Sequence, residues 1–292
     1  MCLFSFFYIQ SIMAQQGQYD ITIPSDAIKV VRKTSSDLRD GVPAISYHFG
    51  KVYSHVPGEK DRLLFAFDLV GVTASKTLSD NLDSIYAFRS FHKEVLMYKD
   101  PTTNEIVHKW QNPWTGKECP VFHIANDPVN YTLTHTKEKP YTYPGKIVGN
   151  SLMSCFEVPL LYSNPLGNEY QESIGGKYHA SEMFGTFVNA NEALDRSTTF
   201  VKTVHESWSR ICPWLPWMEM GNRAGFLYYH STGGRLGSST ELPSPVKKVM
   251  EERYPEYLTP PPLDDPRPNE TSWIYYKRIK NGERKYPWSD MI

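Results

Sequence analysis

The stretch that bears most on the fold is RICPWLPWMEMGNRAGFLYYH, residues 210–230. Its two prolines each lack a backbone donor and fix φ, so the stretch cannot continue as a regular helix. Their Pro-x-x-Pro spacing is typical of polyproline II, whose three-residue repeat would place Trp214 and Trp217 on one side. Beyond two glycines, Phe226–His230 is predicted to be a strand.

Short apolar or alternating segments separated by turn residues extend in both directions from this stretch. About ten such strands with few helical periods predict an all-β fold, antiparallel and closed into a lipocalin-like barrel with short peripheral helices. A closed barrel has no exposed edge and can hold a ligand, whereas a two-sheet sandwich is the alternative. The predicted strands are Ala44–Phe49, Lys51–Val56, Arg62–Val72, Ile85–Tyr98, Ile106–Trp110, Val121–Ala125, Tyr131–Thr136, Leu152–Tyr162, Tyr178–Val188, Thr198–Ser209 and Phe226–His230.

Residues 17–292 are predicted to form a single β-barrel domain with a proline-rich C-terminal extension, since no repeat or linker divides them. Gly50 lies between two predicted strands and is expected to be the turn of a hairpin. In the C-terminal part, Pro245–Arg253 is predicted to be a helix and Trp273–Ile279 a last strand.

The N-terminal residues 1–16 are predicted to be a leader or a disordered segment. Cys2–Ile9 is apolar but lacks the charged start of a signal peptide, so a cytoplasmic location is favoured and secretion is left open. No stretch reaches the roughly 18 apolar residues of a membrane-spanning helix.

Composition excludes several classes of function. The chain has 31 basic and 32 acidic residues and a formal net charge of −1, without the basic stripe that nucleic-acid binding requires. Its four cysteines are widely spaced and are predicted to be mostly buried thiols. No metal motif, phosphate loop or dinucleotide fingerprint occurs, so neither a metal nor a cofactor is expected.

The residues from Trp214 to Arg223 are predicted to form the wall of a small-molecule site. Trp214, Trp217, Met218 and Met220 offer aromatic and apolar surface, while a buried Arg223 needs a partner. A cation–π contact with Trp214 or Trp217 would meet part of that need, and an oxygen-bearing ligand would meet the rest. The alternative is that tryptophans flanked by prolines plug a barrel end and complete its core.

Three candidate proton donors lie at other positions. An inward-facing His123 would be a proton donor near neutral pH, whereas a hydrogen-bonded core histidine is the alternative. Glu157 lies in an apolar strand, where an inward orientation would raise the pKa of its carboxyl and an outward one would leave it solvated. Tyr229 is the tyrosine predicted to share this catalytic role.

Four further side chains are predicted to bind substrate. Trp114 lies in the motif Asn-Pro-Trp-Thr-Gly, residues 112–116. His205 and Trp208 are three residues apart, hence on opposite faces of a strand, so at most one of them lines a given cavity. Phe226 begins the strand that follows the predicted wall.

At these blocks the sequence resembles two groups of proteins. Residues 112–116, Val121–Pro128 and Pro213–His230 resemble a bacterial and fungal family, domain of unknown function eighteen thirty-eight, over most of the chain. The chain also resembles the fungal hetero-Diels–Alderases of tropolonic sesquiterpenoid biosynthesis. That resemblance implies a cofactor-independent enzyme that dehydrates a hydroxymethyl tropolone to an o-quinone methide and joins it to a humulene-type alkene.

The chemistry of this reaction fits the candidate residues, and a role can be assigned to each as a hypothesis. Arg223 would donate to the tropolone oxygens, and His123, Glu157 or Tyr229 would protonate the leaving hydroxyl. The expected partners are small molecules, with neither nucleic acid nor membrane, and a homodimer is left open. The alternatives are a lipocalin-like carrier of a hydrophobic compound and a cofactor-free isomerase or hydrolase.

Overall fold

Antiparallel strands dominate the computed structural model, which describes residues 17–81, 84–167 and 176–292. The predicted leader, residues 1–16, lies outside the described residues. The strands are β1 (Ala44–His55), β2 (Arg62–Asn81), β3 (Ile85–Lys99), β4 (Lys109–Gln111), β5 (Glu118–Pro120), β6 (Ile124–Asn126), β7 (Tyr131–Thr136), β8 (Gly145–Val148), β9 (Ser151–Ser163), β10 (Lys177–Asn189), β11 (Val204–Cys212) and β12 (Phe226–Leu236). The α-helices are α1 (Pro24–Ser35), α2 (Ala190–Leu194), α3 (Ser244–Arg253) and α4 (Ser272–Lys280), and 3₁₀ turns span Pro216–Met218, Ser239–Glu241 and Pro255–Leu258.

Ten of the strands form one sheet in the order β6-β3-β2-β1-β12-β11-β10-β9-β8, with β7 also paired to β3. Every pairing in this sheet is antiparallel, which confirms the predicted antiparallel, mostly β architecture. Among the described residues no pairing joins β8 to β6 or β7. Closure of the sheet into a barrel therefore stays a prediction.

The sheet is strongly curled, and side chains meet across its concave face. The rings of Phe67 on β2 and Trp208 on β11 have centroids 6.0 Å apart, although these strands are three positions apart in the sheet. In a flat sheet three strand spacings amount to about 14 Å. Likewise, the hydroxyl groups of Tyr98 on β3 and Tyr229 on β12 are 2.9 Å apart. The sheet thus encloses these side chains.

Two different elements cover the ends of the concave face. At one end α1 buries Arg32, which donates hydrogen bonds to Ser75 on β2 (2.9 Å) and to the Tyr86 hydroxyl on β3 (3.0 Å). At the other end the 3₁₀ turn at residues 216–218 packs Trp217 against the ring of Phe65 on β2, with centroids 5.9 Å apart. The middle of the concave face is left between them.

The hairpin predicted around Gly50 is wrong, because β1 runs through this glycine as one continuous strand. A Cβ at Gly50 would lie 2.3 Å from the His230 carbonyl oxygen and 2.6 Å from the Phe67 ring. Glycine is therefore required here because two strands and an aromatic ring approach each other closely. In the sequence alone, such a glycine resembles one that forms a turn.

We expect Gly50→Ala to lower the free energy of unfolding by about 1–3 kcal/mol, because backbone and ring must shift to admit the methyl group. Urea denaturation followed by tryptophan fluorescence measures the change. Gly176→Ala is the control, since a Cβ there meets nothing within 4 Å. Equal midpoints for the two variants would contradict the close-approach explanation.

The strand predicted over Trp273–Ile279 is also wrong, since these residues lie in α4. The Thr271 hydroxyl caps this helix by accepting a hydrogen bond from the backbone of Ile274. Trp273 packs on the Tyr178 ring, with centroids 5.1 Å apart. The aromatic residues Trp273, Tyr275 and Tyr276 are therefore buried as part of a helix. The helix predicted over Pro245–Arg253 is confirmed within α3.

The remaining predictions about organisation divide in outcome. Cys119 and Cys212 are buried as predicted, whereas Cys155 is exposed. In the proline-rich C-terminal extension, the 3₁₀ turn at residues 255–258 packs against β2 and β3. Throughout the described residues, no helix has both the length and the apolar character of a membrane span.

Candidate functional site

The proline- and tryptophan-rich stretch closes one end of the concave face. The ring of Trp217 lies 5.7 Å from that of Tyr98 and 6.2 Å from that of Trp110, centroid to centroid. All four apolar members of the predicted wall are buried in the core here: Trp214, Trp217, Met218 and Met220. Their placement matches the alternative that these residues complete a core.

We call residues 213–220, which close this end, the plug. Asn112, the first residue of the motif at 112–116, holds the plug in place. Its side-chain amide is fully buried and donates to the Met218 carbonyl at 2.9 Å. Its side-chain oxygen accepts a hydrogen bond of 2.9 Å from the backbone of Trp114. The motif therefore has a structural explanation, since it joins two segments far apart in sequence.

We expect Asn112→Ala to lower the free energy of unfolding by about 2–4 kcal/mol, because the buried Met218 carbonyl and the partly buried Trp114 backbone N–H lose their partner. Chemical denaturation measures the loss. Asn281→Ala is the control, since that side chain makes an exposed hydrogen bond to Glu283 and should change stability by less than about 0.5 kcal/mol. Similar losses in both variants would show that Asn112 does not fasten the plug.

Arg223 lies at the outer surface and already has a protein partner. Its guanidinium is 3.3 Å from the Glu59 carboxylate, and its side chain is 37% exposed. The ring beneath it belongs to Trp114, 5.9 Å away, rather than to Trp214 or Trp217. The Trp114 indole also donates to Glu59, at 2.9 Å. A ligand is thus not needed to explain this arginine.

A groove of about 430 Å³ runs beside Arg223. Its lining includes Lys177, His179, Trp214 and Phe226. The ring of Phe226 stacks on His55 in this region, with centroids 4.8 Å apart. The lining of the groove includes neither Phe67 nor Trp208, the two rings that meet across the concave face.

His123 is a buried core histidine. Its ring Nδ1 accepts a hydrogen bond of 3.1 Å from the backbone of Tyr98, and its side chain has no exposed surface. Burial, with a smaller contribution from His108, lowers the pKa of His123 to about 3. The imidazole is therefore neutral near pH 7, so the proton-donor role predicted for the imidazolium does not fit this position.

The other predicted residues divide between the two faces of the sheet. Glu157 and His205 are exposed on the outer face, so the inward orientation on which the role of Glu157 depended is not found. Trp208 and Tyr229 are buried on the concave face, with ring centroids 5.8 Å apart. His205 and Trp208 lie on opposite faces, as predicted.

Beside Trp208 and Tyr229 lies a set of polar side chains that we call the concave cluster: His92, Glu94, Tyr178, Glu182 and Arg210. Glu182 on β10 is directly opposite Arg210 on β11, and their carboxylate and guanidinium are 3.4 Å apart. Arg210 also donates a hydrogen bond to the Tyr178 hydroxyl. Its side chain is 7% exposed, and within the described part of the chain its Nε has no hydrogen-bond partner.

Glu94 enters the concave cluster from β3. Its carboxylate lies 3.5 Å from His92 Nε2 and accepts a hydrogen bond of 2.7 Å from the Asn126 amide. Burial acts to raise the pKa of Glu94, but His92, Asn126 and Arg210 outweigh it and hold the pKa below its ordinary value. Glu94 is therefore an ionised carboxylate at neutral pH.

Glu182 has the opposite protonation behaviour. Burial raises the pKa of its carboxyl to about 7. The Arg210 guanidinium lowers this pKa in part, whereas the Glu94 carboxylate raises it further. Two carboxyl groups of one site therefore hold different numbers of protons near neutral pH, a pattern typical of acid–base catalysis.

The concave cluster is deep but remains in contact with solvent. The side chains of Glu182, Glu94 and His92 are 18%, 25% and 22% exposed. Strong desolvation together with retained exposure is expected of groups that line a narrow opening. Solvent therefore reaches these carboxyl groups.

An aromatic wall adjoins the concave cluster. The rings of Phe156 on β9 and Phe184 on β10 are stacked, with centroids 5.0 Å apart and planes 10° apart. Phe184 is directly opposite Trp208 on β11, and Phe156 is 41% exposed. The arrangement offers flat apolar surface next to charged groups.

Sequence reasoning missed Glu94, Glu182 and Arg210, although a signal was present. Arg210 is the first residue of the stretch 210–230. Alternation in β11 places it on the same face as Trp208 and Cys212, both of which are buried. An arginine on the apolar face of a strand requires a partner inside. The need for a buried partner was assigned instead to Arg223. Arg223 lies in a turn, where strand alternation does not predict which way its side chain points.

The fold and the site together define an antiparallel β-sheet protein with a charged cluster and an aromatic wall on its concave face. The chain belongs to the family described as protein of unknown function (DUF1838), whose model matches residues 43–280. This confirms the first resemblance, while the resemblance to the hetero-Diels–Alderases stays a prediction.

Comparisons beyond the family add little. No curated protein matches the chain. Among solved structures, the crystal structure of a LolA superfamily protein from Nitrosomonas europaea is 8% identical and aligns over 66% of this chain and 84% of its own. Its TM-score of 0.13 is too low to support any inference about fold or function.

Proposed function

We propose that the protein is a cofactor-independent enzyme that removes water from a small oxygenated, otherwise apolar molecule bound at the concave cluster. The observation that carries this proposal is the pairing of Glu182 with Arg210. A carboxyl group that keeps its proton up to about pH 7 lies beside a buried guanidinium and still contacts solvent.

These two groups supply the chemistry that a dehydration needs. Loss of a hydroxyl group requires a proton donor at the leaving oxygen, and Glu182 is protonated at the pH where such a donor works. Arg210 is charged at any working pH and donates to oxygens that gain negative charge. The Arg210 Nε is a buried donor without a hydrogen-bond partner among the described residues.

The reaction we assign is the one implied by the resemblance to the hetero-Diels–Alderases. A hydroxymethyl tropolone is dehydrated to an o-quinone methide, which then reacts with a humulene-type sesquiterpene in an intermolecular hetero-Diels–Alder reaction. The aromatic wall supports this assignment because stacking would hold the two flat or apolar partners in one orientation, which lowers the entropic part of the barrier.

We also propose that the sheet closes into the predicted barrel and encloses the reacting molecules. Contacts such as Phe67 with Trp208 and Tyr98 with Tyr229 support it, because they join strands that are not neighbours. A cytoplasmic location and a homodimer stay predictions.

The test is incubation of the protein with a hydroxymethyl tropolone and humulenol, followed by chiral chromatography of the adduct. We expect product to form faster than in buffer alone and as one stereoisomer. Tropolone binding without acceleration, measured by tryptophan fluorescence, would instead identify a carrier. Absence of both binding and acceleration would contradict the proposed site.

A further inference from the structure

The groove beside Arg223 forms where two neighbouring strands part. β11 ends at Cys212, and Pro213, which follows it, is part of the lining of the groove. The pairing of β10 with β11 begins only at Ser181, so residues 177–180 have a neighbouring strand on the β9 side alone. The groove therefore lies along a part of β10 that β11 does not cover.

The polar side chains of the groove are basic. Lys177 and His179 are exposed and line it from β10, where alternation places both on the same face of the strand. Arg223 is a third basic side chain in the lining, and none of the described residues that line the groove is acidic. The groove therefore offers positive charge and N–H donors, which attract an anion.

The rest of the groove is largely apolar and held in place by its neighbours. Ile211 is 38% exposed, and the half-buried Phe226 stacks on His55 with ring centroids 4.8 Å apart. The Trp214 indole donates a hydrogen bond of 3.1 Å to the Arg223 carbonyl. A flat apolar molecule can thus lie against a surface whose side chains are already positioned.

We propose that the groove beside Arg223 binds an aromatic monocarboxylate. Its volume of about 430 Å³ is within the range of roughly 300–1,000 Å³ that small-molecule sites occupy. The carboxylate pairs with Lys177 and accepts a hydrogen bond from His179, while the ring lies against Ile211 and Phe226. This combination of positive charge and apolar surface selects against neutral molecules and against small inorganic anions.

The charge of the ligand is assigned to Lys177 because Arg223 is already engaged. The Arg223 guanidinium lies 3.3 Å from the Glu59 carboxylate, which a second anion would have to displace. The site is also independent of the proposed dehydration, since its lining includes neither Glu182 nor Arg210.

The first test is isothermal titration calorimetry of the full chain with 2-naphthoate, and with 2-naphthamide as the uncharged match. We expect the carboxylate to bind about tenfold more tightly than the amide, because charge-assisted hydrogen bonds are about twice as strong as neutral ones. The affinity for naphthoate should also fall as the salt concentration rises, since salt screens exposed charges. Equal affinity for the two compounds, or no binding of naphthoate, would overturn the proposal.

The second test places the ligand in the groove by changing its charge. Lys177→Met should weaken naphthoate binding about two- to fivefold, the usual effect of losing an exposed ion pair. Lys51→Met is the control, because Lys51 is exposed on β1 and is not part of the lining.

Ala224→Asp adds a negative charge to the lining and should weaken naphthoate binding by a similar factor, since like charges repel. Ala224→Asn is the uncharged control, and thermal melts establish that every variant is folded. Naphthoate that binds Lys177→Met and Ala224→Asp as tightly as the wild type would show that it binds elsewhere and would overturn the proposed site.

Discussion

Replacement of Arg210 by methionine is expected to lower kcat/KM for the proposed dehydration about 10²–10³-fold, the usual effect of removing a charged donor aimed at a developing oxyanion. Methionine is of similar length and fills the space of the side chain. Glu182 would lose the cation at 3.4 Å, which raises its pKa and moves the alkaline limb of the rate profile to higher pH. A lower kcat/KM together with an alkaline limb at higher pH would indicate that Arg210 acts in the site, because partial unfolding alone would not move the limb.

Arg223→Met is the matched control for this experiment. Arg223 is the arginine that the sequence singled out, but it lies outside the concave face and pairs with Glu59. Initial rates and pH profiles of both variants are compared at equal folded fraction. A larger loss of kcat/KM in Arg223→Met than in Arg210→Met would indicate that the substrate binds in the groove beside Arg223.

Glu182→Gln is expected to change both activity and the pH dependence of stability. Without its proton donor, kcat should fall about 10²–10⁴-fold, and the alkaline limb of the profile should disappear. In the folded protein the pKa of Glu182 is about 7, above its ordinary value of 4.5. The folded state therefore binds more protons than the unfolded state between these values, and wild-type stability falls as pH rises through this window.

The magnitude follows from the shift in pKa, which corresponds to about 3 kcal/mol of lost stability once the carboxyl ionises. Glutamine does not ionise, so the variant should be less sensitive to pH and more stable than wild type at pH 8. Urea unfolding at pH 5 and pH 8 measures both effects, with Glu118→Gln as control. Equal pH dependence in wild type and Glu182→Gln would show that Glu182 ionises normally.

Strand alternation in the sequence was sufficient to predict the sheet but not its exceptions. The predicted Tyr131–Thr136 coincides with β7, because a half-buried strand repeats every two residues. Gly50 and the aromatic residues of α4 were misassigned for a shared reason. Their local pattern fits a turn and a strand, whereas the deciding contacts come from distant residues such as Phe67 and Tyr178.

The candidate site illustrates the same limit more strongly. The faces of β10 and β11 can be derived from alternation, which would have grouped Trp208 with Arg210. The meeting of Glu94 with these residues depends on the curl of the sheet and on the order of its strands, neither of which is a local property. Sequence reasoning therefore favoured Arg223, whose neighbours in the chain are aromatic, over Arg210, whose partners are distant in sequence.

The ionisation of Glu182 in the folded protein decides whether the concave cluster is an acid–base site. Carboxyl ¹³C NMR of protein labelled in its glutamate side chains, with Glu182→Gln to assign the resonance, gives the pKa of this one group. We expect a midpoint near pH 7 that moves upward in Arg210→Met. A midpoint near 4.5, the ordinary value, unchanged by loss of Arg210, would contradict the assignment of the concave cluster as an acid–base site.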